Sequence, residues 1–284
     1  MPAMMPQPHD RSPTGAPRAG LPRDLCAVVL AAGEGRRLRP LSLVRPKPLC
    51  PVGGVPLLDL AIARARTATA AVAVNVHHAR AALEDHLAAT NAARVAAGAG
   101  GPVHVSVEPD EALGTAGALA HLRSWIDGRG VLVLNGDTWT PGDLGAAAAG
   151  WDRERVRVLV VGDDRLWPPD RPTSRLAGSF MPWSEVARLE PVPSGLWEVS
   201  WRARHAEGRV EVVHWDGPSI DCGTPARYLA ANLDASGGAP VVGEGARVDG
   251  TLVRSVVWPG ATVRRGETLV DAVRAGDSVT VLVR

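Results

Sequence analysis

The sequence predicts an α/β protein: a mostly parallel sheet with helices on both faces, followed by a short β extension. Three observations predict it. Short continuous apolar runs, "LCAVVLAA" (25–32) and "GVLVLNGD" (130–137), run into glycines, as buried parallel strands leading into loops do. Helical stretches alternate with such strands along residues 25–137, the pattern of βαβ units. From Ser236 the chain changes to glycine, valine and short hydrophobic spacings.

Leu25–Ala32 is the first strand and opens into a loop at Gly33–Gly35. Pro56–Ala70 reads as a helix, 71–77 ("AVAVNVH") as a strand, Ala79–Ala97 as a helix and 102–108 ("PVHVSVE") as a strand. Thr115–Ile126 is helical and 130–137 is again a buried strand. These units build a Rossmann-like sheet, in which ligands lie at the carboxyl ends of the strands. Beyond it, 155–162 is a strand, Asp163–Ser174 a proline-rich loop, and 175–189 a strand followed by a short helix. Gly195–Glu207 is helical, 209–215 alternates like a strand with one exposed face, and a helix over Pro225–Leu233 ends the large domain. In the remainder, Val242, Val248, Val257, Val263 and Leu269 recur at intervals of six or nine. That spacing predicts two or three imperfect turns of a left-handed parallel β-helix, which must pack on the large domain or on a partner chain. The expected division is a disordered tail over 1–23, one large domain over 24–233 and the β extension over 234–284, with homo-oligomerisation through the extension left open.

At 284 residues the chain can bury a sizeable core. Its formal net charge of +1, with signs mixed along the sequence, gives no basic face for a nucleic-acid backbone, so a nucleic-acid partner is not expected. No apolar run approaches the length that spans a bilayer, so no membrane partner is expected either. The N-terminus has no apolar segment of a signal peptide. Three cysteines (Cys26, Cys50, Cys222) without CxxC spacing suggest neither a zinc site nor a disulfide framework, and a reduced, cytoplasmic compartment is the expectation.

The chemistry concentrates in four short stretches. In "LAAGEGRRLRPLSLVRPKPLCPVGGVPLLD" (30–59), a strand runs straight into Gly33-x-Gly35, whose small residues let backbone amides approach phosphate oxygens. Leu38 stands where a dinucleotide fingerprint needs its third glycine, and no GxxxxGK[ST] is present. Arg37 follows the glycines, and Lys47, the only lysine among 31 basic residues, lies between two prolines that restrict the backbone. Arginine and lysine are not interchangeable where a compact point charge is needed. In "VEPDEALGTAGAL" (107–119), Gly114, Thr115 and Ala116 open a helix whose small residues let a flat nucleobase or ribose approach. Asp137, at the carboxyl end of the strand in "VLVLNGDTW", is placed for Mg²⁺, a hard cation that binds carboxylates and phosphates. In "SIDCGTPARYLAAN" (219–232), Asp221 precedes a helix start in which Thr224 caps and Pro225 takes the first position.

Together these stretches resemble the sugar-1-phosphate nucleotidyltransferases, whose members carry a GxGxR loop, a lysine in PKP or PKA, an LGTAGAL segment, an NGD aspartate and a DxGTP aspartate. Arg36 stands where many members have threonine. Mannose-1-phosphate guanylyltransferase-like members are the nearest in character. The resemblance implies synthesis of an NDP-sugar and pyrophosphate from an NTP and a sugar 1-phosphate, mannose 1-phosphate or a similar hexose, with Mg²⁺ as cofactor. It implies that Ala31, Ala32, Gly33, Gly35, Arg37, Glu108, Gly114, Thr115 and Ala116 bind the nucleotide, that Arg37 and Lys47 act in catalysis, and that Asp137 and Asp221 share the metal. Glu108 falls where the family can contact the base, and a carboxylate there suits the donor edge of guanine, which tilts the reading to GTP.

Between residues 140 and 219 the resemblance thins. Members carry a second lysine on the sugar phosphate, and this chain has none. Arg165, Arg171 and Arg175 are candidates to replace it, with Gly178 for the glycine-marked strand over the sugar and Glu198 for sugar hydroxyls. A catalytically silent nucleotide-sugar-binding subunit of the same fold is the alternative; it should lose Lys47 or the metal aspartates, and all are present. An enzyme that transfers sugar from an NDP-sugar would show a D-x-D motif, which "NGDTW" lacks.

Overall fold

The structure is a computed structural model and describes residues 21–162 and 176–283. Residues 1–20 of the tail expected over 1–23, the loop Asp163–Ser174 and the candidates Arg165, Arg171 and Arg175 lie outside the described residues.

Seven strands form the central sheet: β1 (Leu25–Leu30), β2 (Val72–Val76), β3 (His104–Val107), β4 (Gly130–Asn135), β5 (Val156–Val161), β6 (Leu176–Met181) and β7 (Val210–Trp215). Their order is β7-β5-β6-β4-β1-β2-β3. All neighbours are parallel except β6, which runs antiparallel to both β4 and β5. β1, β2 and β4 are almost wholly buried, as expected of strands covered on both faces. The chain moves outward from β1 to β2 and β3, then returns to the other side of β1 with β4. That reversal is the topological switch point, where the carboxyl ends of β1 and β4 open a crevice.

Helix α1 (Leu57–Ala65) packs Leu58, Ala61, Ile62 and Ala65 on one face of the sheet, and α2 (Arg80–Ala96) adds Leu83 and Leu87. Helix α3 (Gly114–His121) packs on the other face with Ala116 and Leu119. Three expected helices differ in extent. α1 stops at Ala65 rather than residue 70, because the Thr67 hydroxyl donates to the Arg64 carbonyl at 2.8 Å and closes the last turn. The stretch 115–126 divides at Leu122 into α3 and a separate turn, Arg123–Ile126. Residues 195–207 open with a π turn, Trp197–Trp201, which turns both Ser200 and Trp201 inward: Ser200 Oγ donates to Glu185 Oε2 at 2.9 Å and Trp201 Nε1 to Met181 Sδ at 2.9 Å.

Helix α4 (Pro225–Ser236) begins as its sequence demands, with Thr224 Oγ1 accepting from the Arg227 amide and Pro225 at the first position. After it the chain coils. Val241–Val242 pairs in parallel with Val256–Val257, which pairs in parallel with Ala272–Ala275. Arg247–Val248 and Thr251–Val253 pair likewise with Thr262–Val263 and Thr268–Val270 on two further faces, and Val279–Leu282 closes the end antiparallel. Val257, Val263 and Leu269 are buried inside the coil and Val248 packs against them, whereas Val242 faces solvent at 49% exposure. Val242 is therefore not part of the inward repeat; its neighbour Val241 instead packs toward the large domain.

The coil sits on the loop segment that carries Lys47. Leu38, Leu41, Cys50, Val52 and Leu57 form one cluster with Tyr228 of α4 and with Val256, Trp258, Val273 and Ala275 of the coil. Tyr228, the only tyrosine, is fully buried; its hydroxyl donates to the Pro51 carbonyl and accepts from Trp258 Nε1 at 2.9 Å. Burial drives its pKa well above the ordinary value, so the hydroxyl stays neutral and serves as both donor and acceptor. Tyr228→Phe removes both bonds and leaves two buried polar groups unpaired, which should cost about 1–3 kcal/mol, read as a lower urea midpoint at unchanged m. Burial also pushes the thiols of Cys26, Cys50 and Cys222 up to about 12. The native protein should therefore take up no iodoacetamide at pH 7.5, and the urea-unfolded chain three equivalents, by mass spectrometry.

Candidate active site

The loop that leaves β1 turns at Gly35, whose φ of 70° is the left-handed conformation that favours glycine. A Cβ there would also lie 2.9 Å from Lys47 Cβ, so the glycine lets the loop rest directly on the lysine stem. Gly33 is exposed, and a Cβ on it would meet nothing within 4 Å, which leaves open space beside its backbone. The amides of Gly33, Glu34 and Gly35 donate to no protein group among the described residues. Glu34 pairs with Arg36 and, at 2.8 Å, with Arg39, which leaves Arg37 turned elsewhere.

Lys47 opens a single 3₁₀ turn, Lys47–Leu49, shaped by the flanking prolines. Its side chain is only 7% exposed, and its Nζ lies 2.7 Å from Asp137 Oδ2 and 3.1 Å from Asp221 Oδ1. Burial acts to lower its pKa, and the charges of Asp137 and Asp221 with their hydrogen bonds overcome this, so the ammonium titrates above its ordinary value. It is charged throughout the neutral range. Asp137 follows β4, and the two aspartates are brought side by side by a short ribbon in which Thr138–Trp139 pairs antiparallel with Ile220–Asp221. The Cys222 amide donates to the Asp137 carbonyl at 3.1 Å and fixes the register. Asp221 Oδ2 further faces Arg37 at 3.6 Å and Arg227 at 3.5 Å.

Among the described residues, no cluster of three or more metal-ligating side chains is present. The donor set that does exist is two carboxylates converging on one cation, now the Lys47 ammonium. Two carboxylates plus substrate phosphates and water are how Mg²⁺ is commonly held, so Asp137 and Asp221 fit that ion.

Two cavities lie near these residues. A cleft of about 290 Å³ is lined by Gly33, Gly35, Arg37, Lys47, Asp137 and Gly223 among others. A chamber of about 570 Å³ has Thr138, the residue after Asp137, in its wall, together with Gly114, Thr115, Gly178 and Glu198. A Cβ on Gly178 would lie 2.8 Å from Leu134 Cδ2, so a side chain there would have to push the end of Leu134 aside.

Other expected residues stand apart from both cavities. Glu108 is 1% exposed, with Oε1 accepting from Asn75 Nδ2 at 2.8 Å and Oε2 from the Leu113 amide at 2.9 Å. Asn75 Oδ1 in turn accepts from the Ala31 amide at 2.8 Å. Glu108 therefore ties β2 to the turn before α3 and presents no free carboxylate edge to a base, which removes the reason to prefer guanine. Ala31 and Ala32 are buried and line neither cavity. Ala116 is also buried, and its amide donates to the Ser194 carbonyl at 3.0 Å. The start of α3 is thus closed by residues 192–196: Leu196 donates to Thr115 Oγ1 at 2.8 Å, and side chains at Gly114 or Gly117 would strike the Ser194 or Val192 carbonyl. Sequence reasoning missed Gly223, where a Cβ would lie 2.9 Å from Asp221 and 3.0 Å from Arg37, and Arg227, whose spacing of six from Asp221 was a readable signal. It also missed Arg64, Trp197 and Trp201 of the chamber, for which the sequence offers none.

Comparison with known proteins agrees with this geometry. The family model for nucleotidyl transferase matches residues 26–164. The chain is 39% identical over 140 residues to an N-acetylmuramate alpha-1-phosphate uridylyltransferase of Caulobacter vibrioides, covering 48% of this chain and 56% of that protein. A Neisseria meningitidis protein of the same description is 36% identical over 122 residues, covering 43% and 50%. The chain thus spans about half the length of these two relatives. A mannose-1-phosphate guanylyltransferase of Mycobacterium tuberculosis is 26% identical over 283 residues, covering 88% of this chain and 74% of that one. In fold, the chain is similar to a UDP-glucose pyrophosphorylase from Acinetobacter baumanii, with a TM-score of 0.56 at 18% identity over 74% of this chain and 92% of that one. The signature loop, Lys47 and Asp137 thus lie within the segment, just under half of the chain, that is similar to the nucleotidyl transferase family.

Proposed function

We propose that the protein joins the nucleotidyl group of an NTP to a sugar 1-phosphate and releases pyrophosphate. The observation that carries this reading is the buried Lys47 ammonium, held between Asp137 and Asp221 at the edge of an open glycine loop. A phosphate oxygen of the sugar 1-phosphate attacks the α-phosphorus, the bond from that phosphorus to the β-phosphate oxygen breaks, and pyrophosphate leaves. Such a transfer needs alignment and charge neutralisation more than a protein nucleophile. Arg37 and the free amides of Gly33–Gly35 bind the β and γ phosphates. Lys47 leaves its carboxylates to contact the α-phosphate and the attacking phosphate together, and its neighbours keep it charged for that purpose. Asp137 and Asp221 would hold Mg²⁺, which when bound neutralises phosphate charge. The chamber receives the sugar, with Gly178 in its wall and Glu198 near hydroxyl groups.

The relatives point to two donor and acceptor pairs: GTP with mannose 1-phosphate from the match that spans most of the chain, and UTP with N-acetylmuramate 1-phosphate from those of higher identity. Since Glu108 is committed to the fold, the tilt to GTP no longer has a residue behind it.

Purified protein with Mg²⁺ should release pyrophosphate from at least one pair in a screen of GTP, UTP, dTTP, ATP and CTP against mannose, glucose, N-acetylglucosamine and N-acetylmuramate 1-phosphates. Tight NDP-sugar binding with no turnover on any pair would establish the silent-subunit reading instead. Lys47→Arg should lower kcat/KM by about 100-fold or more, because a guanidinium cannot take the place of a compact ammonium between two carboxylates. Asp137→Asn and Asp221→Asn should each lower kcat by a similar factor and raise the Mg²⁺ concentration needed for half-maximal rate. Wild-type rates in Lys47→Arg would remove the assigned role of that side chain.

A further inference from the structure

Arginines crowd the cleft, and most of them are committed elsewhere. Arg36 and Arg39 both pair with Glu34, and the Arg45 guanidinium lies 5.4 Å over the Trp258 ring. Arg37 and Arg227 instead meet at one atom: Asp221 Oδ2 lies 3.6 Å from Arg37 Nη2 and 3.5 Å from Arg227 Nη1. Both separations exceed the roughly 2.7–3.2 Å of a well-formed N–H···O bond. The other oxygen of that carboxylate is already engaged, since Asp221 Oδ1 accepts from Lys47 Nζ at 3.1 Å. Three cations, Lys47, Arg37 and Arg227, thus face two carboxylates, Asp137 and Asp221, which leaves positive charge in excess beside the cleft.

The backbone of Arg227 is fixed. Thr224 caps α4 by accepting from the Arg227 amide, and Pro225 takes the first helical position, so Arg227 stands in the first turn of the helix. That turn holds no acidic residue. A helix N-terminus carries partial positive charge and favours anions, so an arginine there adds to a like charge instead of opposing one. Its side chain is 48% exposed and that of Arg37 71%, which leaves both guanidiniums open to a ligand. Gly223 keeps the approach clear: it lines the 290 Å³ cleft with Arg37, and a Cβ on it would lie 2.9 Å from Asp221 Oδ2 and 3.0 Å from Arg37 Nη2. Excess positive charge on two neighbouring guanidiniums that share one loosely held oxygen is satisfied by a ligand with several anionic oxygens. We infer that Arg227 is a second phosphate-binding arginine of this site and that, with Arg37, it grips pyrophosphate, both as the terminal phosphates of the bound NTP and as the leaving product.

The inference rests on the transferase reading, and a binding measurement separates the two. Calorimetry with sodium pyrophosphate and Mg²⁺, without nucleotide, should show binding that Arg227→Gln weakens by about 10-fold and Arg227→Lys, which keeps the charge, by no more than about 3-fold. The side chain is half-exposed, so neither substitution removes core packing. In turnover on whichever pair reacts, Arg227→Gln should raise KM for the NTP by about 10-fold and leave KM for the sugar 1-phosphate within about 3-fold of wild type. A residue that only steadied Asp221 would behave otherwise: its loss would lower kcat and raise the Mg²⁺ requirement, as in Asp221→Asn, with pyrophosphate affinity unchanged. That outcome would overturn the assignment, as would wild-type protein that binds no pyrophosphate. Absence of turnover with every pair would remove the transferase reading, while the ratio of pyrophosphate affinities would still decide Arg227.

Discussion

The Lys47 ammonium between Asp137 and Asp221 is the contact on which the rest of the site depends. A charge with 7% of its side chain exposed is held only because two carboxylates face it, and each carboxylate comes from a different part of the chain. One follows the strand β4 and the other precedes α4, so three segments distant in sequence must meet within hydrogen-bonding reach of one nitrogen. Removing either aspartate leaves a buried charge with half its compensation, which is far more costly than the pair is stabilising. The short ribbon of Thr138–Trp139 with Ile220–Asp221 satisfies this constraint, since it sets both aspartates on the same side of the lysine.

The same constraint explains why the C-terminal coil is where it is. The lysine loop is short of regular structure and cannot hold its own geometry, having only single helical turns at Arg36–Leu38, Leu41–Val44 and Lys47–Leu49. What holds it is packing from outside. Trp258 and Val256 of the coil share a core with Leu38, Leu41 and Cys50, and the Arg45 guanidinium lies 5.4 Å over the Trp258 ring. Tyr228 then bonds the loop at Pro51 and the coil at Trp258 through one hydroxyl. The coil thus braces the segment that bears Lys47, a structural duty independent of any oligomeric contact it makes.

What the sequence revealed was local. "RPKP", "NGD" and "DCGTP" each place a charged group beside prolines or glycines that fix the backbone, so the group's location follows from a few adjacent residues. Where the outcome depended on contacts across the sheet, the sequence misled. Glu108 looks like a base reader until Asn75 of the neighbouring strand takes its carboxylate, and the start of α3 looks open until residues 192–196 fold over it. Val242 fits the inward repeat by spacing but lies where the coil meets solvent. Arg64 of the chamber wall gave no signal because the other arginines hide it.

That arginine background also clarifies the single lysine. Most cationic duties in this chain tolerate guanidinium: ion pairs at the surface, caps on carbonyls and stacking on tryptophan are all filled by arginine. Position 47 differs in two respects. The stem runs against Gly35, where a Cβ would already sit 2.9 Å from Lys47 Cβ and 3.6 Å from Cδ, so the space is set for an unbranched chain. Its end must also face two carboxylates at once, which suits a rotatable point charge and not a planar fork with one preferred edge.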